Sequence, residues 1–400
     1  MNSIYAALEI GTTRTVLAIG ESEPGGRLKV TCHADILSTG VRKSQIVDIN
    51  QATQSIRSVI HEIERKQEAS GSKITIGNAF LAVNGQHVKA TPAQGIAQIN
   101  GKVGDEELNE VLRNSRSVPM SKDCELLDII DQDYVVDDRG STATPKGMSG
   151  RILKLNTLQI TADRNCIQDA RTAADAAHLE IREPLFAITC AAEAVLDERE
   201  KRNGVLVIDL GGGSTGYAVY SDGVAVTTGV IGVGGDHITN DIAHAFQTTN
   251  AQAENLKVTE ASALLSAANG SPRIKVETGD NPLMDNRTIS RQALDTVVNA
   301  RLLELFTIIR ETLEDQDLLH RLHSGVVLTG GGAQMSGVEA LAAQALGMPS
   351  RIGTPIQVDG LEDVSFPASY ATIAGTLLYA SRNYEEKSIL DGLFGRFFSK

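Results

Sequence analysis

The chain has 400 residues, a net charge of −13 and four scattered cysteines. That length suffices for two or more domains with substantial cores, and the acidity argues against a general nucleic-acid binder. Cys32, Cys124, Cys166 and Cys190 form no C-x-x-C pair, no apolar run approaches the roughly 18 residues of a spanning helix, and no basic region leads into an apolar signal segment, which excludes a disulfide framework, a zinc site and a transmembrane anchor and leaves a cytosolic globular body as the expectation.

In chain order, an apolar strand over Ala7–Ile10 carries Glu9 near its end and turns through Gly11-Thr12-Thr13-Arg14 into a second strand, Val16–Ile19. A helix is predicted near Ile49–Gln67. From Gly85 to about Ala162 a segment interrupts this lobe, with strand-like Ile96–Ile99 and Tyr134–Val136, a helix near Asp105–Ser117 and a polar loop at Arg139–Ser149. A helix near Cys166–Ala177 follows, and Asn203-Gly204 marks the crossing to a second lobe. There Val207-Ile208-Asp209-Leu210 runs through Gly211-Gly212-Gly213-Ser214-Thr215 into a strand over Tyr217–Tyr220. Residues 246–324 read as mostly helical. Val326–Thr329 is a buried strand leading through Gly330-Gly331-Gly332 to the start of a helix, and a last core helix is predicted near Tyr370–Ser381.

The repeated hairpin is the most informative feature, since Glu9 and Asp209 stand 200 residues apart in a chain of 400. One Gly-rich turn is a common hairpin; two copies half a chain apart point to a duplication, with two lobes facing each other over a phosphate chain. Glycine lets backbone N–H groups approach phosphate oxygens, successive N–H groups form an anion-binding nest, and Ser or Thr hydroxyls add donors. A carboxylate at the strand end would repel phosphate, so its expected work is to hold hydrated Mg²⁺. The strand–glycine–helix junction at Gly330–Gly332 suits a nucleotide's sugar or base. Glu254-Asn255-Leu256-Lys257 places an acid and a base about one helical turn apart, which alone reads as a solvated ion pair.

These residues resemble the actin, heat-shock-chaperone and sugar-kinase superfamily, and within it the chain is similar to the FtsA family of bacterial cell-division proteins over nearly all of its length. Supporting stretches are Lys146-Gly147-Met148-Ser149-Gly150, Ala192–Leu196, Gly234-Gly235-Asp236-His237-Ile238-Thr239 and Arg351-Ile352-Gly353. The resemblance implies an α/β, actin-like two-lobed ATPase fold of duplicated ribonuclease H-like lobes with a small subdomain inserted in the first. It divides the chain into 1–84 plus 163–202 (first inner subdomain), 85–162 (insertion), 203–245 plus 325–381 (second inner subdomain), 246–324 (second outer subdomain) and 382–400 (linker and tail). It implies ATP and Mg²⁺ as ligands: Glu9, Gly11, Thr12, Thr13 and Arg14 facing the phosphates from one side, Asp209, Gly211, Gly212, Gly213 and Ser214 from the other. Glu254 and Lys257 would meet the ribose or base above Gly330, Gly331 and Gly332, and Glu9 and Asp209 would hold Mg²⁺ through water.

Two departures from the family pattern bear on turnover. Glu9 stands where most relatives have Asp, and Gly216 stands where many have a side chain that orients the attacking water. Both spare the phosphate-binding backbone and weaken hydrolysis, so slow or absent ATPase activity is expected. Glu183-Pro184 is read as a helix start or as a compensating acid near the γ-phosphate.

The tail is the second strong signal. Ile389, Leu390, Leu393, Phe394, Phe397 and Phe398 fill one half of a helical wheel, and Asp391, Gly392, Gly395, Arg396, Ser399 and Lys400 fill the other, behind a polar linker at Arg382–Lys387. Twelve residues are too few to fold alone or to span a bilayer, so a helix lying on an anionic membrane is expected, with Arg396 and Lys400 near head groups; docking on the protein's own body or a partner is the alternative. The resemblance further implies head-to-tail filaments of the chain, contacts with other division proteins, and capture of the acidic C-terminal peptide of FtsZ by Arg287, Ile289 and Arg291, two arginines four apart on a helix start. Alternative functions are a PilM-like pilus-assembly adaptor, disfavoured by the tail and the stretch after Gly234, and a small-molecule kinase, for which no general-base Asp motif is present.

Overall fold

A computed structural model of the chain describes residues 3–22, 27–71, 75–265, 272–276 and 288–395, with side chains as far as Tyr384. Two sheets of matching topology organise it. In the first, Ile4–Ile10, Arg14–Ser22 and Leu28–Leu37 form an antiparallel meander, and Asn78–Val83 followed by Glu180–Phe186 add in parallel beyond Ile4–Ile10. In the second, Val205–Leu210, Thr215–Ser221 and Val224–Ile231 repeat the meander, and Val326–Thr329 followed by Ser350–Ile352 add in parallel at the corresponding places. The duplication read from two short loops therefore extends to both sheets.

Alternation along the central strand explains how the lobes share a core. All of Val205–Leu210 is buried, as a strand covered on both faces must be. Leu206 and Ile208 point into an apolar core with Leu302 and Phe306 of the second lobe's outer helix. Val205 and Val207 point the other way, into a core continuous with the first lobe. Helices Ala187–Val195 and Ala371–Gly395 run through that shared core, and their backbones touch: a Cβ on Gly375 would stand 1.7 Å from the Cys190 carbonyl oxygen. Only glycine fits there.

The insertion builds its own sheet from Val88–Lys102, Ser149–Asp163, Cys124–Val136 and Ser141–Thr142. Helix Asp105–Arg116 covers it over a small core of Ala97, Val111, Val136, Leu153 and Leu155. Helix Ile49–Ser70 runs slightly past its expected end, from the Asp48 cap to Gly71 in the left-handed region.

The outer subdomain of the second lobe is mostly helical among its described residues, through Asn250–Thr259 and Arg291–Asp315, with a ribbon of Arg273–Lys275 and Thr288–Ser290 before the longer helix. One expectation is corrected here. The polar linker at Arg382–Lys387 is part of one continuous helix, Ala371–Gly395. The stretch Arg-Asn-Tyr-Glu-Glu-Lys holds neither Gly nor Pro, so nothing in it stops a helix already nucleated in the core. Among the described residues no helix is long and apolar enough to cross a membrane.

Candidate functional site

The two Gly-rich hairpins have the same internal geometry. Gly11 N–H donates to Arg14 O at 3.0 Å, and Gly211 N–H donates to Ser214 O at 3.1 Å. Glu9 lies opposite Val16 in the first hairpin and Asp209 lies opposite Gly216 in the second. They face each other across a cleft of about 660 Å³. Glu9, Gly11, Thr12, Thr13 and Arg14 line it from the first lobe, and Asp209, Gly211, Gly212, Gly213 and Ser214 from the second. Glu254, Lys257, Gly330, Gly331 and Gly332 complete the walls. Every residue expected at the nucleotide is thus brought to one cavity.

The loops approach so closely that only glycine fits at two points. A Cβ on Gly212 would lie 2.0 Å from Thr13 Oγ1, and one on Gly213 would lie 2.3 Å from Thr12 Oγ1. Helix Gly235–Phe246 docks end-on against the second loop, Gly235 N–H donating to Gly211 O at 2.9 Å and Asp236 N–H to Gly212 O at 2.8 Å. Gly330, at φ +82°, backs onto the acid itself, since a Cβ there would stand 2.1 Å from Asp209 Oδ1. The glycines after it form a short 3-10 turn, Gly331–Gln334, and the α-helix begins only at Val338. The expected strand–glycine–helix junction is therefore longer, with a tight turn between.

The two acids share a poorly solvated site. Burial, and secondarily the facing Asp209 charge, push the Glu9 carboxyl up to about 7 against the opposing pull of Arg14. Burial likewise pushes Asp209 up to about 6, although Thr372 Oγ1 donates to its Oδ2 at 3.3 Å. A carboxylate pair held this way favours a cation between or beside it. Among the described residues no group of three or more His, Cys, Asp or Glu is placed to hold a metal ion. Glu9 and Asp209 supply hard oxygen donors of the kind that hold a hydrated Mg²⁺, a cation that keeps several waters and needs no all-protein cage.

Glu254 and Lys257 lie on helix Asn250–Thr259, one turn apart as expected. Lys257 Nζ stands 2.6 Å from Glu254 Oε2 and donates to Thr239 Oγ1 at 3.0 Å and Gly235 O at 3.2 Å. The pair is anchored in the cleft wall, not merely solvated. Ser44, Glu260, Ser262, Arg291 and Arg301 also line the cavity. Of these only Arg291 was expected to be functional, and at a partner peptide; no motif marks the others, since each reaches the site through tertiary packing.

Several other expected positions fall elsewhere. Glu183 is neither a helix start nor among the residues that line the cleft; it lies in strand Glu180–Phe186 and accepts from Tyr379 Oη at 3.1 Å and Tyr384 Oη at 3.4 Å. A Cβ on Gly216 would stand 3.1 Å from Ile188 Cβ, against a fully buried side chain. Arg287 lies outside the described residues. Thr288–Ser290 is a strand, so the helical spacing expected between Arg287 and Arg291 does not run through it. Ile289 is buried in the second lobe's core, and the Arg291 guanidinium is held by the Glu260 carboxylate and carbonyl. Ile389, Leu390, Leu393 and Phe394 lie on the last helix by backbone alone, while Arg396, Phe397, Phe398 and Lys400 lie outside the described residues.

Comparison with known proteins agrees with this architecture. A family model described as "Cell division protein FtsA" matches residues 206–375, and one described as "SHS2 domain inserted in FTSA" matches residues 85–161. The cell division protein FtsA of Pseudomonas aeruginosa is 35% identical over 378 residues, covering 94% of this chain and 89% of that protein. Among solved structures, the PilM-PilN type IV pilus biogenesis complex matches with a TM-score of 0.65 at 17% identity, covering 94% of this chain and 98% of the other. MreB5 of Spiroplasma citri bound to AMPPNP matches with a TM-score of 0.57 at 15% identity, covering 97% and 98%. The two structures bear on the fold alone, which is actin-like and two-lobed.

Proposed function

The chain belongs to the FtsA family of cell-division proteins, and on that premise we propose that it binds ATP with Mg²⁺ between its lobes, polymerises on the cytoplasmic face of the membrane at the division site and tethers the FtsZ ring there. The observation that carries the nucleotide reading is the pair of equivalent hairpins facing across one cleft, each with an acid at the same place. Bound Mg²⁺ would neutralise both the carboxylate pair and the phosphates. The hairpin N–H groups and the hydroxyls of Thr12, Thr13 and Ser214 would orient the phosphates, and the wall of Glu254, Lys257 and Gly330–Gly332 would receive the nucleoside. Gly216 supplies no side chain to position water, so the nucleotide acts as a structural ligand that turns over slowly.

The tail from Ile389 is the proposed membrane contact. Interfacial burial of each Phe, Leu or Ile contributes at most about 1–3 kcal/mol, and ordering the helix costs roughly 1 kcal/mol or more per residue, so one tail holds weakly. A filament aligns many tails on one surface and multiplies the effect, which ties attachment to assembly. The FtsZ peptide is assigned to the second lobe's outer subdomain around Arg287 and Arg291, where Arg291 exchanges its Glu260 partner for a peptide carboxylate. Calorimetric titration tests the nucleotide reading: Mg-ATP should bind the parent protein, and Asp209→Ala should bind it at least tenfold more weakly. Equal binding by both would overturn it.

A further inference from the structure

Five consecutive residues that no motif marks touch all three Gly-rich elements of the cleft. They run from Ala368, in the short 3-10 turn Pro367–Tyr370, to Thr372, in the first turn of helix Ala371–Gly395. The Ala368 carbonyl accepts from Gly330 N–H at 3.1 Å and from Thr329 Oγ1 at 2.9 Å. The Ser369 carbonyl accepts from the Arg14 guanidinium at 3.5 Å. Tyr370 Oη donates to Asp35 Oδ1 at 2.6 Å, and Asp35 Oδ2 receives Arg14 at 3.4 Å. Thr372 Oγ1 donates to Asp209 Oδ2 at 3.3 Å.

That last bond departs from what threonine does elsewhere in the helices of this chain. Thr172, Thr259, Thr296, Thr312 and Thr376 each return the hydroxyl to the carbonyl four residues back, at 2.7–2.9 Å, which is the ordinary local choice. For Thr372 that carbonyl belongs to Ala368, and Gly330 N–H and Thr329 Oγ1 already fill its two lone pairs. The hydroxyl is thus turned to Asp209. The other oxygen of that carboxylate, Oδ1, abuts Gly330, where a Cβ would stand 2.1 Å away. Asp209 is therefore held between the last helix on one side and a glycine on the other.

Resting on the nucleotide reading above, we propose that Thr372 is a positioning residue for the metal-holding acid: its hydroxyl fixes the rotation of the Asp209 carboxylate and leaves Oδ1 to the hydrated cation. A carboxylate oriented beforehand loses less freedom when the cation arrives. Asp209 thereby depends on a residue 163 positions away, on the helix that leads to the tail.

Thr372→Val keeps the shape and removes the donor, whereas Thr372→Ser keeps the donor. Calorimetric titration of the full chain with ATP, once with Mg²⁺ and once with EDTA, separates metal positioning from packing. Thr372→Val should lose about tenfold in affinity with Mg²⁺ and less than about twofold with EDTA, and Thr372→Ser should match the parent. Thr372→Ala should repeat the Mg²⁺-selective loss, which keeps the test open should the valine variant not fold. In the Asp209→Ala background, Thr372→Val should add nothing. An unchanged Mg-ATP affinity overturns the role of Thr372 and leaves the cleft reading standing. Equal losses with Mg²⁺ and with EDTA, or a further loss in the Asp209→Ala background, make Thr372 a packing residue and likewise overturn the proposal. A parent protein that binds no ATP removes the proposal and the cleft reading together.

Discussion

Replacing Glu9 by Gln should make the nucleotide-free protein more stable at pH 8 while depriving it of Mg-ATP. Burial, with the facing Asp209 charge behind it, moves the Glu9 carboxyl from its ordinary 4.5 to about 7. Between those values the folded protein keeps a proton that the unfolded chain has lost, so stability falls as pH rises through the window. The displacement corresponds to at most about 3 kcal/mol. The Glu9 side chain keeps some contact with solvent in the cleft, which reduces the expected gain to about 1–2 kcal/mol. Gln has nearly the same shape and no charge to desolvate, so its melting temperature should exceed the parent's by about 1–3 °C at pH 8 and converge with it near pH 5. Melting curves from pH 5 to 8.5, with and without Mg-ATP, provide the assay. Mg-ATP should raise the parent's transition and leave the variant's nearly unmoved. A variant that melts below the parent at pH 8, or by the same margin at every pH, would refute the reasoning.

Gly216→Asp, which on the family pattern would restore a water-orienting side chain, should instead lower the melting temperature without raising phosphate release, because its Cβ meets the buried Ile188 at 3.1 Å and it adds a second carboxylate directly opposite the buried Asp209. Phe394→Glu and Phe397→Glu should each release the protein from anionic liposomes in a flotation assay while Mg-ATP affinity stays that of the parent; variants that float as well as the parent would make the tail a docking helix.

The sheets and the cleft were legible because their signals are local. A strand, an acid, a glycine turn and a second strand occupy consecutive residues, and the repeat 200 positions later shows the same pattern in the sequence that the backbone shows in its register. Glu254 and Lys257 were legible for the same reason, one turn apart on one helix. What escaped depends on contacts between distant segments. Ser44 reaches Thr12 through the packing of its hairpin within the first lobe and Ser214 only because the lobes face each other, and its unfavourable turn conformation leaves no mark in a Lys-Ser pair. Arg291 reads as a free cation on a helix start until the preceding strand and Glu260 are in place. Glu183 reads as a helix start beside proline, yet the strand pairing of Glu180–Phe186 carries it to the two tyrosines of the last helix. The linker differs: its polar composition reads as a break, whereas Arg382–Lys387 contains good helix formers that continue Ala371–Gly395.

The tethering account is tested most directly by recruiting FtsZ to membranes. Anionic liposomes, Mg-ATP and FtsZ would be mixed with either the full chain or a chain ending at Asn383, and the FtsZ that floats with lipid measured. FtsZ should float with the full chain and stay in solution with the shortened one, while both chains bind Mg-ATP equally. FtsZ that floats equally with both chains, or with neither, would contradict the account.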